Sequence, residues 1–121
     1  MNLIIRQEAS EDHEAVFHVI KTAFETAPFS DHSEHFLVQR LRQSKAFIPE
    51  LSLVAECDGE MVGHIILTRI EIVEGENRYP SLALAPVSVV PNYQGKGIGG
   101  QLIEAAHKIA RKLGHGSVVL L

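Results

Sequence analysis

The chain has no tryptophan and a single cysteine, Cys57. One thiol cannot close an intrachain disulfide, which removes the small disulfide-stapled scaffolds of secreted proteins. No basic segment followed by an apolar stretch opens the sequence, so a reducing, cytoplasmic setting is the expectation. Positive charge is also short: 11 Lys and Arg stand against 15 Asp and Glu, a formal net charge of −4. A protein that binds nucleic-acid phosphates shows the opposite balance, so no nucleic-acid partner is expected. No uninterrupted apolar run approaches the roughly 18 residues of a membrane span, so no membrane partner is expected either. The seven histidines lack a metal-ligand spacing such as H-x-x-x-H, so no metal is expected.

What is present suits one packed domain over residues 1–121. The length lies within the usual range for a domain, and 45% hydrophobic with 21% charged residues is an ordinary globular composition. Leu3-Ile4-Ile5-Arg6 reads as a short strand, followed by Ala9-Ser10-Glu11-Asp12, with Ser10 as N-cap and an acidic first turn. Between Glu11 and Glu25, Val16, Val19, Ile20, Ala23 and Phe24 fall on one helical face, and Pro28 ends that helix. Ala27 to His32 reads as a loop, and Leu37, Val38 and Leu41 mark a second helix to about Ser44. Ser52–Cys57 and Met61–Ile72 flank Asp58-Gly59, a two-residue hairpin signal, because a type I′ turn needs positive φ at both positions.

Glu74 to Asn77 is a second turn, and Ser81 to Val90 a third strand of this group. Pro86 inside it cannot donate to a ladder and marks a bulge or an edge. A helix then carries Ile98, Leu102, Ala106, Ile109 and Leu113 on one face and stops at Gly114. Gly116 to Leu121 closes the chain as a continuous apolar strand, of the kind buried on both faces in a parallel pair. The expected order is β-α-α-β-β-β-α-β around one mixed sheet, an α/β fold with a βαβ-like crossover at its end.

Between the third strand of that group and the last helix lies Gln94-Gly95-Lys96-Gly97-Ile98-Gly99-Gly100. Four glycines in six residues let a ligand approach bare backbone, and the helix start exposes N–H groups, so amides from Gly95 to Gly100 can converge on a pyrophosphate. Lys96 is either a point charge at the mouth or a solvated loop lysine. A Walker A loop is excluded because Gly97, not Ser or Thr, follows Lys96. The G-x-G-x-x-G spacing of a dinucleotide site is present, yet the acidic residue expected about 20 positions on is missing.

The run from Val87 through Ser88, Val89, Pro91 and Gln94 to Gly99 resembles motif A of the GNAT superfamily of N-acetyltransferases, V-x-P-x-x-(Q/R)-x-x-G-x-(G/A). Glu56 to Gly63 is similar to the family's E-x-D-G-x-x-V-G hairpin, and the order of elements agrees across most of the chain. The resemblance implies a GNAT-like acyl-CoA N-acyltransferase fold that lacks the family's C-terminal helix and strands. It implies acetyl-CoA as co-substrate, its pantetheine arm paired with backbone at Val87, Ser88 and Val89. Its pyrophosphate would lie on Gln94, Gly95, Lys96, Gly97, Ile98, Gly99 and Gly100. The implied reaction is direct attack of a primary amine, on a small molecule or a peptide, on the thioester.

The catalytic residues stay unassigned. The family often uses a strand carboxylate as base, and Leu82 to Pro86 carries none; Glu71 and Glu25 are distant alternatives. His64 faces either the cleft or the core, His107 the exposed helix face, and His115 a turn. Cys57 reads as a packed strand residue with no base beside it. The family's usual acid is a tyrosine further along, a role that Tyr79 and Tyr93 cannot fill by correspondence. Two further readings remain: a non-catalytic acyl-CoA-binding or regulatory module, and a dinucleotide-binding module. Acceptor contacts are expected from the loop Ala27 to Ser33. Val118 to Leu121 would be an edge that favours a homodimer or strand exchange.

Overall fold

The computed structural model of the protein describes residues 2–28 and 30–120. Phe29, within the expected acceptor loop, and Leu121, at the end of the expected last strand, lie outside them. The elements run β1 (Leu3–Gln7), α1 (His13–Phe24), α2 (Glu34–Arg42), β2 (Phe47–Cys57), β3 (Glu60–Glu74), β4 (Asn77–Val89), α3 (Ile98–Lys112) and β5 (Val118–Leu120). This is the expected order. One five-stranded sheet holds the strands in sequence order, antiparallel from β1 to β4 and parallel between β4 and β5. Asp58 (φ 52°) and Gly59 (φ 84°) turn the β2–β3 hairpin as their residue types require.

Two layers cover the sheet. On one face the amphipathic stripe Ile98, Leu102, Ala106 and Ala110 of α3 packs on Leu53, Ala55, Ile65, Leu67, Leu82 and Leu84. On the other, Val16 and Ile20 of α1 and Val38 of α2 pack on Val54 and Ile66. Alternate strand residues supply the two faces, as a period of two demands. Leu113, expected on the buried helical stripe, is 43% exposed and is the C-cap that follows the last helical residue, Lys112.

Three expectations need correction. Ser10 does not cap α1, because Ser10–Asp12 forms a short 3₁₀ turn and the helix starts at His13. Asp12 does the local work, accepting from Ala9 N–H at 2.7 Å and from Arg6 at 2.7 and 3.0 Å. Arg6, first of all, holds the Asp12 carboxyl below its ordinary pKa. The long strands were also underestimated: β3 and β4 continue to Glu74 and back from Asn77 as a two-stranded arm. Its exposed Ile72, Val73 and Tyr79 gave no buried face for a periodicity argument to detect. Finally, β5 is not buried on both faces. Among the described residues it pairs with β4 alone; Val118 and Val119 are half-buried and Leu120 is 71% exposed.

His64 lies in the core, fully buried, with Val54 and Ser88 opposite it on the neighbouring strands. Ser52 Oγ donates to Glu8 Oε1 at 2.8 Å and therefore accepts from His64 Nε2 at 3.0 Å. Arg42, the last residue of α2, closes this line on Glu8 with bonds of 3.1 and 2.5 Å. Burial tends to raise the Glu8 carboxyl, but Arg42, His64 and Ser52 outweigh it and leave its pKa lowered. Burial pushes the His64 imidazole down to about 4.

The sign of the linkage follows. From the ordinary pKa near 6.5 down to about 4, the unfolded chain takes up a proton at His64 and the folded chain does not, so stability falls as pH falls. The urea midpoint should drop between pH 6.5 and 4.5, and His64→Gln should flatten that slope; an unchanged slope in the variant would contradict the burial of His64.

Candidate functional site

Across the middle of their ladder, β4 carries one residue more than β3. Ile65 pairs with Val87 and Leu67 with Leu84, so two steps on β3 face three on β4. The excess falls at Ala85-Pro86, the bulge that Pro86 suggested, and proline has no N–H to leave unpaired there. The bulge decides which way the following backbone points. Below it, Leu82 N–H donates to the Ser117 carbonyl on the β5 side. By alternation Leu84 turns the same way and Ala83 turns to β3. Above it, Val90 N–H donates to the Val62 carbonyl at 2.9 Å. The next pair bonded to β3 is therefore Ser88 with His64, and Val87 and Val89 direct their N–H and C=O groups away from β3.

That second edge has no strand on it among the described residues, since β5 pairs only with Leu82, Ala83 and Leu84. Its Val89 carbonyl accepts from Gln94 Nε2 at 2.8 Å. Of the three expected edge positions, Val87 and Val89 are presented. Ser88 is not: its backbone faces β3, and its buried hydroxyl has no partner among the described residues.

The chain leaves β4 through a 3₁₀ turn at Pro91–Tyr93 and reaches the glycines. Gly95 (φ 77°) and Gly97 (φ 82°) are left-handed, and Gly97 is the N-cap of α3. Gln101 N–H bonds to the Gly97 carbonyl at 3.1 Å, the first turn of the helix. The amides of Ile98, Gly99 and Gly100 precede it and have no carbonyl within the helix. A Cβ added at Gly95, Gly97 or Gly100 would meet nothing within 4 Å, so the space before the helix start is open. Ile98 brings only its backbone, because its side chain is 1% exposed in the α3 core. Lys96 leans over the Tyr93 ring, its Nζ 5.4 Å from the centroid. Tyr93 in turn bonds Glu60 at 3.3 Å, and the negative charge of Glu60 holds its phenol above the ordinary pKa.

Beside the bulge lies an open groove of about 360 Å³, walled by Leu84 to Val87 of β4, Phe24 of α1, Glu34 and Leu37 of α2, Ile103 of α3 and Leu120 of β5. A larger hollow of about 460 Å³ lies by Lys45, Arg69, Pro80 and His115 and touches none of these residues. Glu34 drew no notice in the sequence. Its one signal was an acidic side chain opening a helix, which is also what favourable helix electrostatics produce.

The other candidates disperse. Glu71 pairs with Arg78 at 2.9 Å on the exposed arm. Glu25 is exposed on the hollow between α1 and α2. His107, expected on the exposed helix face, is half-buried, while His115 does sit at the turn after α3. Cys57 is buried in the α3 core as expected. Among the described residues no group of three or more His, Cys, Asp or Glu could hold a metal ion, and no helix is long and apolar enough to cross a membrane.

The family model of the acetyltransferase (GNAT) domain matches residues 4–121. This chain belongs to the GNAT acetyltransferase family. The uncharacterized N-acetyltransferase YjhQ of Escherichia coli K12 is 40% identical over 98 residues, 80% of this chain and 54% of that protein. The chain thus spans about half the length of this curated relative. A GNAT family acetyltransferase from Brucella melitensis, crystallised with acetyl-CoA, is 37% identical with a TM-score of 0.86, over 99% of this chain and 75% of that one. The aminoglycoside N-acetyltransferase AAC(6')-Iy in complex with CoA is 20% identical with a TM-score of 0.68, over 99% and 76% of the two chains. That last likeness is one of fold alone.

In this GNAT chain the glycines of the turn differ in what they tolerate. Gly97→Ala puts a Cβ on a left-handed residue and should cost about 1–2 kcal/mol. Gly99→Ala lies in the helix, its Cβ 3.9 Å from Val89 Cγ2, and should stabilise by up to about 1 kcal/mol. Urea unfolding of the two variants reads the difference; equal losses would mean that the left-handed cap is not kept in solution.

Proposed function

We propose that the chain binds acetyl-CoA along the open edge of β4 and transfers its acetyl group to a primary amine by direct attack. The observation that carries this reading is the continuity of two backbone features. The N–H and C=O groups of Val87 and Val89, which face away from β3 and of which the Val89 carbonyl is held only by Gln94, lead directly into the bare amides at the start of α3. A pantetheine arm has the amides to pair with such an edge, and a pyrophosphate suits donors at a helix start. The acetyl-CoA complex of the 37% identical Brucella protein supports the same ligand.

The assignment to residues follows from that geometry. Val87 and Val89 supply the edge, and the amides from Gly95 to Gly100 the diphosphate cradle. Gln94 bonds the Val89 carbonyl in the free chain, and so yields that acceptor when a ligand amide takes its place. Lys96 adds charge at the rim of the cradle.

Catalysis on this reading is chiefly positional. The amine and the thioester are held together in the groove beside the bulge, and a β4 amide polarises the thioester carbonyl. Starting from its ammonium form, the amine nitrogen forms the new C–N bond as the C–S bond breaks, and it gives up two protons in all, ending as an amide with one N–H. The CoA sulfur keeps one, and the other leaves with a base or with water. No covalent intermediate with the protein is required, which agrees with the inert burial of Cys57.

Gly100→Glu separates ligand binding from folding. The site is exposed, and a Cβ there meets nothing within 4 Å. An acidic residue in place of glycine in the first turn should leave stability unchanged or raise it by about 1 kcal/mol. The same carboxylate opposes a pyrophosphate, so calorimetry should show acetyl-CoA affinity reduced by about tenfold or more, a loss of about 1.4 kcal/mol. Unaltered affinity would remove the cradle from the reading. Acetyl-CoA binding without CoA release across a broad amine panel would favour the non-catalytic binding module instead.

A further inference from the structure

Glu34 is the first helical residue of α2 and forms part of two walls. It lines the groove beside the β4 bulge and also the hollow between α1 and α2. Its two carboxylate oxygens have different surroundings. Oε2 accepts from Ser30 Oγ at 2.5 Å, and Ser30 Oγ accepts from His32 N–H at 2.9 Å, so the α1–α2 loop restrains the carboxylate. Oε1 is closed to solvent and has no hydrogen-bond partner among the described residues.

A buried carboxylate oxygen without a donor is costly, because it has lost water and gained nothing. The packing of the groove does not call for a carboxylate either: Phe24, Leu37, Leu84 and Pro86 around it are apolar. No cation pairs with Glu34 within 4.0 Å among the described residues, although Lys21, His32 and His35 line the adjoining hollow. A negative group held in an apolar wall, with one oxygen unsatisfied, is completed by a positively charged N–H donor.

We propose that Glu34 receives an ammonium group of the acceptor and selects cationic amines as substrates. The proposal rests on the acetyl-transfer reading of this groove and names the acceptor class that the reading leaves open. Val87 walls the same groove, so a cation held at Glu34 lies between α2 and the presented edge of β4. Contact requires the carboxylate to turn Oε1 into the groove, and Ser30 restrains that turn. Ser30 is therefore a positioning residue and Glu34 a specificity residue.

Calorimetry with spermidine tests this without any need for turnover, and steady-state kinetics with the same amine supplies the second readout. Glu34→Gln should weaken spermidine binding by about tenfold or more, the worth of one charge-assisted bond, and raise its KM in parallel. Acetyl-CoA affinity should stay within about twofold. Glu34→Asp, which keeps the charge one carbon shorter, should recover part of the loss. Glu25→Gln, at an exposed carboxylate of the adjoining hollow, should change nothing. Spermidine affinity unchanged in Glu34→Gln, or lowered equally by Glu25→Gln, would overturn the proposal. So would failure of spermidine to bind a wild-type chain that binds acetyl-CoA, whereas a folded wild type that does not bind acetyl-CoA would overturn the acetyl-transfer reading itself.

Discussion

The hydrogen bond from Val90 N–H to the Val62 carbonyl sets the direction of every backbone group at the end of β4. In a strand of unbroken alternation, the register that turns Leu82 to β5 would also turn Ser88 to that side and Val87 and Val89 to β3. The extra residue at Ala85-Pro86 reverses this. A single inserted residue thereby exchanges a hydroxyl-bearing position for two valines at the open edge and sends Ser88 into the core beside His64. The edge reaches the glycine turn with no strand paired to it among the described residues and with Gln94 on its Val89 carbonyl, so the proposed site is one of backbone groups whose placement depends on the sheet.

The second constraint acts on α2. Its last residue, Arg42, is bonded to Glu8 of the β1 end, and Glu8 connects through Ser52 to His64 in the middle of the sheet. Glu8, Ser52 and Arg42 find partners in one another and His64 bonds through Nε2, while its Nδ1 has none among the described residues; such a network fixes geometry more narrowly than apolar packing does. Val38 anchors the middle of the same helix in the α1 core. With its far end and its middle fixed, the helix holds Glu34, its first residue, over the β4 bulge. Groove and carboxylate are positioned by groups well outside both.

Much of this was legible in the chain. Asp58-Gly59 called for its turn, Pro86 for a bulge or an edge, and the glycines from Gly95 to Gly100 for an open helix start. Each of these is a local signal: it rests on the φ preference, the missing N–H or the missing side chain of the residue itself. The misreadings share an origin. Asp12, not Ser10, meets Arg6 and Ala9 N–H; β5 pairs only with β4 among the described residues; and the β3–β4 arm buries no face that periodicity could detect. In each case contacts with other residues, or their absence, outweighed a local preference.

The sequence by itself determined the order of elements, the turn chemistry and the family, because these follow from apolar periodicity and from glycine and proline at fixed spacings. The tertiary structure decided which backbone groups face the open edge, that His64 belongs to the core, and that Glu34 stands in the groove with an oxygen unsatisfied. Those outcomes depend on ladder register and on contacts between residues far apart in the chain, such as Arg42 with Glu8. A one-residue shift of register inverts the direction of a strand's backbone and side chains, and only the assembled sheet records where that shift occurs.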